Sequence, residues 1–242
     1  MRLIINGSGS KGNSYIFIAE NGDVLLWEAG IGINKVLNAI DYKLSKVVGC
    51  VVSHIHGDHF GKVKEYLKAG IDVYTSRGTI EESGIQSHRL HPIASGQTIL
   101  FKGFKVKAFD VIHDCPEPLA FLIHHPEMGN TLALTDSYYS EYKFKGLNNV
   151  LLEVNYDSEI LEQRNIHQSL KNRIILNHMN IDTAVELLEA NDLAQVNNIV
   201  LLHLSDSNSH AENFKKRIEQ VTGKTVTIAD AGVSINLDKT PF

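Results

Sequence analysis

One short segment of the chain concentrates side chains that can bind metal. Residues 53–59 read Ser-His-Ile-His-Gly-Asp-His, so three histidines and one aspartate lie within six positions. Zinc prefers imidazole nitrogen and carboxylate oxygen, and catalytic zinc sites keep one position open for water. Because one turn of chain cannot surround a metal ion, further ligands must come from elsewhere. The segment therefore predicts part of a metal site, formed by His54, His56, Asp58 and His59.

Three later residues share one feature: each follows a short hydrophobic run that is typical of a strand. They are His113, Asp136 and His203. Their common placement at strand ends favours a role as the missing ligands. Six further histidines lack such a context and are expected on the surface or in the core: His88, His91, His124, His125, His167 and His210.

The elements that must position these residues follow from hydrophobic patterning. Strands are predicted at 2–5, 14–19, 24–27, 47–53, 97–101, 105–110, 119–124, 131–134, 150–154 and 199–202, with a hairpin turn at Asn21-Gly22. Helices are predicted at 61–69, 182–190 and 210–221, and residues 226–228 and 233–237 are predicted to form a closing hairpin. Strand-rich halves that each end in helices predict two sheets between helical layers, in one domain over 1–242.

Composition excludes several classes of protein. The 242 residues carry a formal charge of −5, with 43% hydrophobic and 21% charged residues, which is typical of a globular domain. Two cysteines cannot form a disulfide framework, and neither a signal peptide nor a membrane-length apolar run is found. We therefore expect a cytoplasmic protein without a membrane partner.

The histidine–aspartate set resembles that of the metallo-β-lactamase fold superfamily, an α/β fold built as an αββα four-layer sandwich. By this resemblance His54, His56 and His113 would hold one metal, while Asp58, His59 and His203 would hold the other. Asp136 would bridge the two ions, which are expected to be Zn²⁺, with Mn²⁺ as the alternative. One departure is clear: the superfamily usually has Asp-Ala-Gly after its third strand, whereas Glu28 begins that motif here.

Further stretches are similar to a phosphodiesterase branch of this superfamily, which includes YycJ-type exonucleases and phage anti-Pycsar proteins. They are the opening 7–14, the run 151–157, the segment 177–180 and the segment 202–208. The branch usually has Gly-His-Leu-Ser-Asn around an extra histidine, and Asn177-His178-Met179-Asn180 is a degenerate form of it. Asp58 and His178 are the predicted catalytic residues, with His178 as general acid or transition-state contact. A neighbour of a helix cap is the alternative for His178.

The resemblance implies hydrolysis of 3′,5′-cyclic nucleotides (cCMP, cUMP, cAMP, cGMP) to 5′-monophosphates, as phage counter-defence against cyclic-nucleotide signalling. Ser205 and Asn208 are predicted to bind the substrate phosphate, with helix-capping turn residues as the equal alternative. The resemblance also implies a homodimer. Tyrosines near the site could stack on a base, pack an interface or simply pack the fold: Tyr138, Tyr139, Tyr142 and Tyr156.

Three other functions stay open at this point. A YycJ-like exonuclease would bind nucleic acid, although the basic residues are scattered and no basic patch with interleaved aromatics is found. A metal-binding module without catalysis is disfavoured by seven complete ligand positions. A thioesterase is compatible with the metal ligands alone, because one fold hosts many reactions.

Overall fold

The computed structural model describes residues 1–240, which form two seven-stranded mixed sheets. The first sheet has the order β14-β1-β2-β3-β4-β5-β6 and the second β13-β12-β11-β10-β9-β8-β7. The first contains β1 (Arg2–Gly7), β2 (Ser14–Ile18), β3 (Val24–Trp27), β4 (Val47–Val51), β5 (Val73–Thr75), β6 (Leu90–Pro92) and β14 (Ser234–Asn236). The second contains β7 (Thr98–Leu100), β8 (Lys105–Asp110), β9 (Leu119–His125), β10 (Gly129–Leu134), β11 (Leu147–Glu153), β12 (Asn198–Leu202) and β13 (Thr225–Ile228).

Helices flank both sheets. They are α1 (Ile33–Ala39), α2 (Gly57–Phe60), α3 (Val63–Lys68), α4 (Arg77–Ser83), α5 (Ser158–Gln163), α6 (Gln168–Asn177), α7 (Ile181–Glu189) and α8 (Ala211–Thr222), and a 3₁₀ turn spans Leu44–Lys46. Helices α1 and α3 pack on the first sheet, and α7 and α8 pack on the second. A third hydrophobic cluster, which includes Trp27 and Phe121, fills the space between the sheets. The predicted four-layer sandwich is therefore confirmed.

Local patterning explains why these elements form. Helix α7 buries Ala184, Leu187 and Leu188 on one face, as its spacing predicts. Every residue of β11 is buried, because this strand lies inside the second sheet and is covered on both faces. Gly22 turns the chain between β2 and β3 with a φ of 83°, a conformation that glycine adopts without steric cost.

The predicted closing hairpin is wrong. Strand β13 pairs parallel with β12 in the second sheet, whereas β14 pairs antiparallel with β1 in the first. Between them the chain crosses from one sheet to the other, where the Gly232 amide donates to the Ile5 carbonyl at 2.8 Å. Each strand thereby covers a strand that would otherwise be an open edge, which accounts for the split pairing.

Within residues 1–240, no helix combines the length and the apolar character that a membrane crossing requires.

Candidate metal centre

The strands of the second sheet deliver polar side chains to one of its edges. Strands β8, β10, β11 and β12 run in the same direction, so that their carboxyl ends meet. His113, Asp136 and His203 follow β8, β10 and β12, and Glu153 is the last residue of β11. The turn from β4 into α2 brings the segment 54–59 to the same place.

Backbone strain marks the same place. Glu28, Asp136 and His203 have φ values of 68°, 43° and 51°, in the left-handed region that side chains other than glycine rarely adopt. Such conformations persist only where the surrounding structure enforces them, and they concentrate at functional sites.

The predicted ligands form two groups that share one carboxylate. His54, His56, His113 and Asp136 form the first group, and Asp58, His59, Asp136 and His203 form the second. Within each group the candidate ligand atoms lie within 4.8 Å of one another. The structure thus brings together all seven residues of the predicted set, with Asp136 common to both groups. This arrangement is compatible with a dinuclear metal site.

The nitrogen atoms in the first group fit a metal ion. The Nε2 atom of His54 is buried and has no hydrogen-bond partner among the described residues. Burial, together with nearby His59, holds the pKa of His54 well below its ordinary value, so its ring is neutral. The Nδ1 atom of His113 donates to the Asn177 carbonyl at 2.9 Å, and burial also lowers the pKa of His113. His113 therefore offers an unprotonated Nε2, and both rings are neutral, the form that binds metal.

The second group concentrates negative charge around buried histidines. Burial alone would lower the pKa of His59, but Asp136 and Glu28 outweigh it and raise that pKa well above its ordinary value. For Asp136 the directions are reversed: burial would raise its pKa, but His203 and His59 hold that pKa well below its usual range. The carboxylates thus favour positive charge at this place, which protons on the rings or a divalent cation can supply.

Comparison with known proteins identifies the family. A family model described as the metallo-beta-lactamase superfamily matches residues 8–133, more than half of the chain. The chain belongs to the metallo-beta-lactamase superfamily.

Individual relatives agree with this membership. Exodeoxyribonuclease YycJ from Bacillus anthracis is 27% identical over 237 residues, which cover 91% of this chain and 89% of the relative. The metallo-beta-lactamase fold protein YhfI from Bacillus subtilis superposes with a TM-score of 0.72 at 17% identity, covering 97% of this chain and 98% of YhfI. A diphosphatase of the PhnP family gives 0.68 at 15% identity, with 97% of each chain covered. With its histidine and aspartate groups, the chain is a metallo-beta-lactamase-fold hydrolase suited to divalent metal.

Glu28, which stands where the superfamily usually has aspartate, contacts the site. Its side chain is fully buried, and the Ser53 amide lies 3.3 Å from both carboxylate oxygens. Oε2 lies 3.4 Å from Nδ1 of His59, a predicted ligand. Groups that contact the far nitrogen of a ligating histidine orient its ring. The longer side chain therefore reaches the position from which it can support His59.

His178 lies beside the metal groups and pairs with a residue that the sequence interpretation missed. Its Nδ1 atom is 2.6 Å from Oε1 of Glu153, and its ring stacks on that of His203 with centroids 5.5 Å apart. Burial opposes charge on His178, but Glu153 outweighs it and raises the pKa of His178 to about 9. Asp136, Glu153, His178 and His203 form a third group of possible ligands. One signal for Glu153 was present in the sequence, because it directly follows the apolar residues Val150-Leu151-Leu152.

Further polar contacts hold the ligands in place and were not predicted. The Asn13 amide nitrogen lies 2.9 Å from Nε2 of His59. The Asn155 amide nitrogen lies 3.1 Å from Nδ1 of His203 and donates to the His203 carbonyl at 2.8 Å. Asparagine side chains thus brace two histidines of the second group.

Ser205 and Asn208 line a groove of about 700 Å³ that adjoins the metal groups through His178 and His203. The Asn208 amide is engaged within the protein, since its Oδ1 accepts from Arg164 at 2.7 Å and its Nδ2 donates to Ser205 Oγ at 3.0 Å. Helix α8 begins later, at Ala211, and its N-cap His210 makes no side-chain cap bond.

The tyrosines separate into two environments. Tyr138, Tyr139 and Tyr142 are exposed, whereas Tyr156 is buried. Among the described residues, none of the four lines this groove or the smaller pocket at the metal groups.

Proposed function

We propose that the chain is a metal-dependent phosphodiesterase. The observation that carries this proposal is the Glu153–His178 pair beside the two ligand groups. Hydrolysis of a phosphodiester expels an alkoxide, which is strongly basic and needs a proton in the transition state. A thiolate is far less basic and leaves without help. The proton-donating pair therefore favours a phosphodiester over a thioester.

Each protein group has a role in this proposal. His54, His56, His113 and Asp136 would hold one divalent ion, and Asp58, His59, Asp136 and His203 the other. Nitrogen and oxygen ligands of this kind suit Zn²⁺ first and Mn²⁺ second. Such ions, when bound, lower the pKa of water and polarise phosphate oxygens.

His178 is suited to protonate the leaving oxygen. Nδ1 of the protonated ring donates a hydrogen bond to Glu153, so that the proton on Nε2 is the one available for transfer. The residue lines both the pocket at the metal groups and the larger groove. Glu153 is fully buried and accepts from the Ser137 amide at 2.9 Å, which fixes the carboxylate that orients the ring.

The charges of the groove favour a small substrate, namely a 3′,5′-cyclic mononucleotide such as cCMP, cUMP, cAMP or cGMP. Lys11 and Lys35 line it, but Asp206 and Asp230 line it as well. A groove that tracks a polyanion is expected to be cationic throughout. In this proposal Ser205 donates to the substrate, and Asn208 holds Ser205. The product would be the 5′-monophosphate, and counter-defence by a phage protein would follow from that activity.

A homodimer is part of the same proposal. The exposed Tyr138, Tyr139 and Tyr142 would supply apolar contact area. Light scattering coupled to size exclusion tests it, since a mass of one chain would contradict the dimer.

The second candidate is a nuclease that degrades DNA from an end. It is favoured by the 27% identity to exodeoxyribonuclease YycJ, which extends over 91% of this chain. This candidate requires DNA binding that weakens steeply as salt rises.

One experiment separates the candidates. Protein loaded with Zn²⁺ or Mn²⁺ is incubated with the four cyclic nucleotides and with end-labelled single-stranded DNA, and the products are resolved by ion exchange. Asp58→Asn serves as the inactive control. Release of 5′-monophosphates from the cyclic substrates supports the first candidate, and shortening of DNA alone supports the second. If metal-loaded protein cleaves neither, the phosphodiesterase proposal fails.

A further inference from the structure

An ion pair lies at the mouth of the metal pocket and takes no part in the predicted ligand set. The Nε atom of Arg173 is 3.4 Å from Oδ2 of Asp114. The other oxygen of Asp114 lies 3.5 Å from Nε2 of His56 and 3.5 Å from Nε2 of His113. One carboxylate therefore links a guanidinium to the rings of the first ligand group.

Helix α6 holds Arg173 in this position. At the end of the helix, the Asn177 carbonyl accepts from the metal-site ring of His113 at 2.9 Å. The Asn177 side chain donates to the Arg173 carbonyl at 2.9 Å, and Asn177 is the buried residue of an otherwise exposed helix. The next residue, His178, contacts Glu153. The last turn of α6 is thus fixed to the site, while its outer surface faces solvent.

Arg173 has the charge and the free donors that an anionic substrate needs. Of the described residues that line the pocket of about 300 Å³ at the metal groups, it alone carries a permanent positive charge. Among residues 1–240, Asp114 is the one carboxylate paired with it, through Nε, and its two terminal nitrogens have no protein partner. The side chain is 64% exposed, so these donors are open to solvent. Guanidinium groups bind phosphate oxygens in a bidentate manner.

We propose that Arg173 binds a non-bridging oxygen of the substrate phosphate and that Asp114 positions Arg173 for this contact. The inference rests on the proposed function, because it names a specificity residue for a phosphate anion. Asp114 is a positioning residue. In the free protein its negative charge offsets the positive charge of the guanidinium. The ligand class is a phosphate monoester or diester.

Two other roles would predict different behaviour. A surface ion pair without function contributes little, and its removal would change neither binding nor turnover. If Asp114 were itself a metal ligand, its removal would lower metal content whether or not Arg173 were present. Metal content therefore has to be measured beside phosphate binding.

The test compares Arg173→Ala, Arg173→Lys, Asp114→Asn and the double variant in metal-loaded protein. Binding of inorganic phosphate is measured by calorimetry, and hydrolysis is measured with bis(p-nitrophenyl) phosphate. Arg173→Ala is expected to weaken phosphate binding and raise KM by about tenfold to a hundredfold, with a much smaller change in kcat. Arg173→Lys should recover part of the loss, since lysine keeps the positive charge but lacks the planar pair of guanidinium donors.

The double variant is the decisive comparison. If Asp114 acts through Arg173, Asp114→Asn weakens phosphate binding in the native background but has no effect once Arg173 is alanine. The matched control removes a pair of the same kind elsewhere, Arg217→Ala with Asp182→Asn, which joins α8 to α7. This control should bind phosphate as the unaltered protein does.

The outcomes separate the inference from the proposed function. Equal phosphate affinity in the native protein and Arg173→Ala, or no measurable phosphate binding by either, overturns the inference. Loss of metal in Asp114→Asn overturns the role given to Asp114. If phosphate binding depends on Arg173 while no phosphodiester is cleaved, the inference stands and the proposed function fails.

Discussion

Nδ1 of His178 lies 2.6 Å from Oε1 of Glu153, although the two residues are 25 positions apart in the chain. Glu153 is fully buried, and its second oxygen accepts from the Ser137 amide at 2.9 Å. Burial and this hydrogen bond hold the carboxylate beside the ring. The pair fixes which nitrogen of His178 faces Glu153 and leaves the other for the substrate.

The first prediction tests His178 as the proton donor. His178→Ala should lower kcat by about 10²- to 10⁴-fold on a substrate with an alkoxide leaving group, such as cCMP. It should have little effect on bis(p-nitrophenyl) phosphate, because nitrophenolate leaves without a proton. Steady-state rates on both substrates provide the measurement. Equal losses on the two substrates would mean that His178 acts in some other way.

Glu153→Gln provides the companion variant. It keeps the size of the side chain but removes the charge that favours the protonated ring. The loss on cCMP should be in the same direction and smaller than that of His178→Ala. Metal content, measured on both variants, should match that of the native protein. A fall in metal content would assign the pair to metal binding instead.

The second prediction concerns the pH dependence of folding stability. It involves Asp110, which contacts Tyr142 in the segment that follows Asp136. Asp110 accepts from Ser95 Oγ at 2.5 Å and from the Tyr142 hydroxyl at 2.6 Å, and these bonds hold its pKa below the ordinary value. An aspartate whose pKa is lowered by folding stabilises the folded state above its unfolded pKa of about 3.9. That contribution disappears as the pH falls through the lower, folded pKa.

We therefore expect Asp110→Asn to lower the Tm at pH 6. The difference from the native protein should shrink below about pH 4, where the carboxyl becomes protonated in the unfolded state, and should be lost as the pH falls through the lower pKa of the folded state. Thermal unfolding of both proteins across this range gives the measurement. Tyr142→Phe, which removes one donor, should give part of the same difference. A difference that grows as the pH falls would contradict the assignment.

The strand pattern and the family resemblance were sufficient to predict the two-sheet architecture and the residues of the ligand set, for a physical reason. Metal-binding side chains that directly follow hydrophobic strands are placed by the strands themselves, as for His54, Asp136 and His203. The pairing of Glu153 with His178 is different, because it depends on a distance between β11 and the end of α6. Nothing in the local pattern of either residue specifies that distance.

Helix α6 shows where periodicity gives no signal. Its sequence, Gln-Ser-Leu-Lys-Asn-Arg-Ile-Ile-Leu-Asn, has no clear apolar stripe, and Asn177 is its buried residue. Helices held by a few polar contacts at one end leave little trace in a hydrophobic pattern. Arg173 was therefore not singled out. The wrong hairpin at β13 and β14 also reflects long-range pairing. The two strands are adjacent in sequence, but β13 pairs with β12 in the second sheet and β14 pairs with β1 in the first.

The third prediction concerns metal and stability. Nε2 of His54 is buried without a hydrogen-bond partner among the described residues, and it belongs to a ligand group in which a bound cation would satisfy it. Adding Zn²⁺ to chelator-treated protein should raise the free energy of unfolding by about 2.7 kcal/mol at a free concentration of 100 times Kd. Differential scanning calorimetry with controlled free zinc gives the measurement.

His54→Ala is the variant that makes this prediction specific. It removes one ligand of the first group, so that the stabilisation by zinc should be smaller. His88→Ala is the matched control, because His88 belongs to none of the ligand groups among the described residues. A zinc response that His54→Ala leaves intact would show that the ion binds elsewhere.

The last prediction concerns Glu28, which replaces the usual aspartate of the superfamily. Its carboxylate lies 3.4 Å from Nδ1 of His59, is fully buried and contacts the Ser53 amide. Glu28→Gln keeps the shape but removes the negative charge that faces the ligand ring. Metal affinity should fall by about 10- to 100-fold, as for other residues that orient ligating histidines. Competition with a chromophoric chelator measures this affinity.

Glu65→Gln is the control for this prediction. Glu65 accepts from the Ile33 amide near the surface, so its substitution should leave the metal affinity unchanged. If Glu28→Gln binds metal as tightly as the native protein, the glutamate supports the backbone turn at Ser53 rather than the metal ligand.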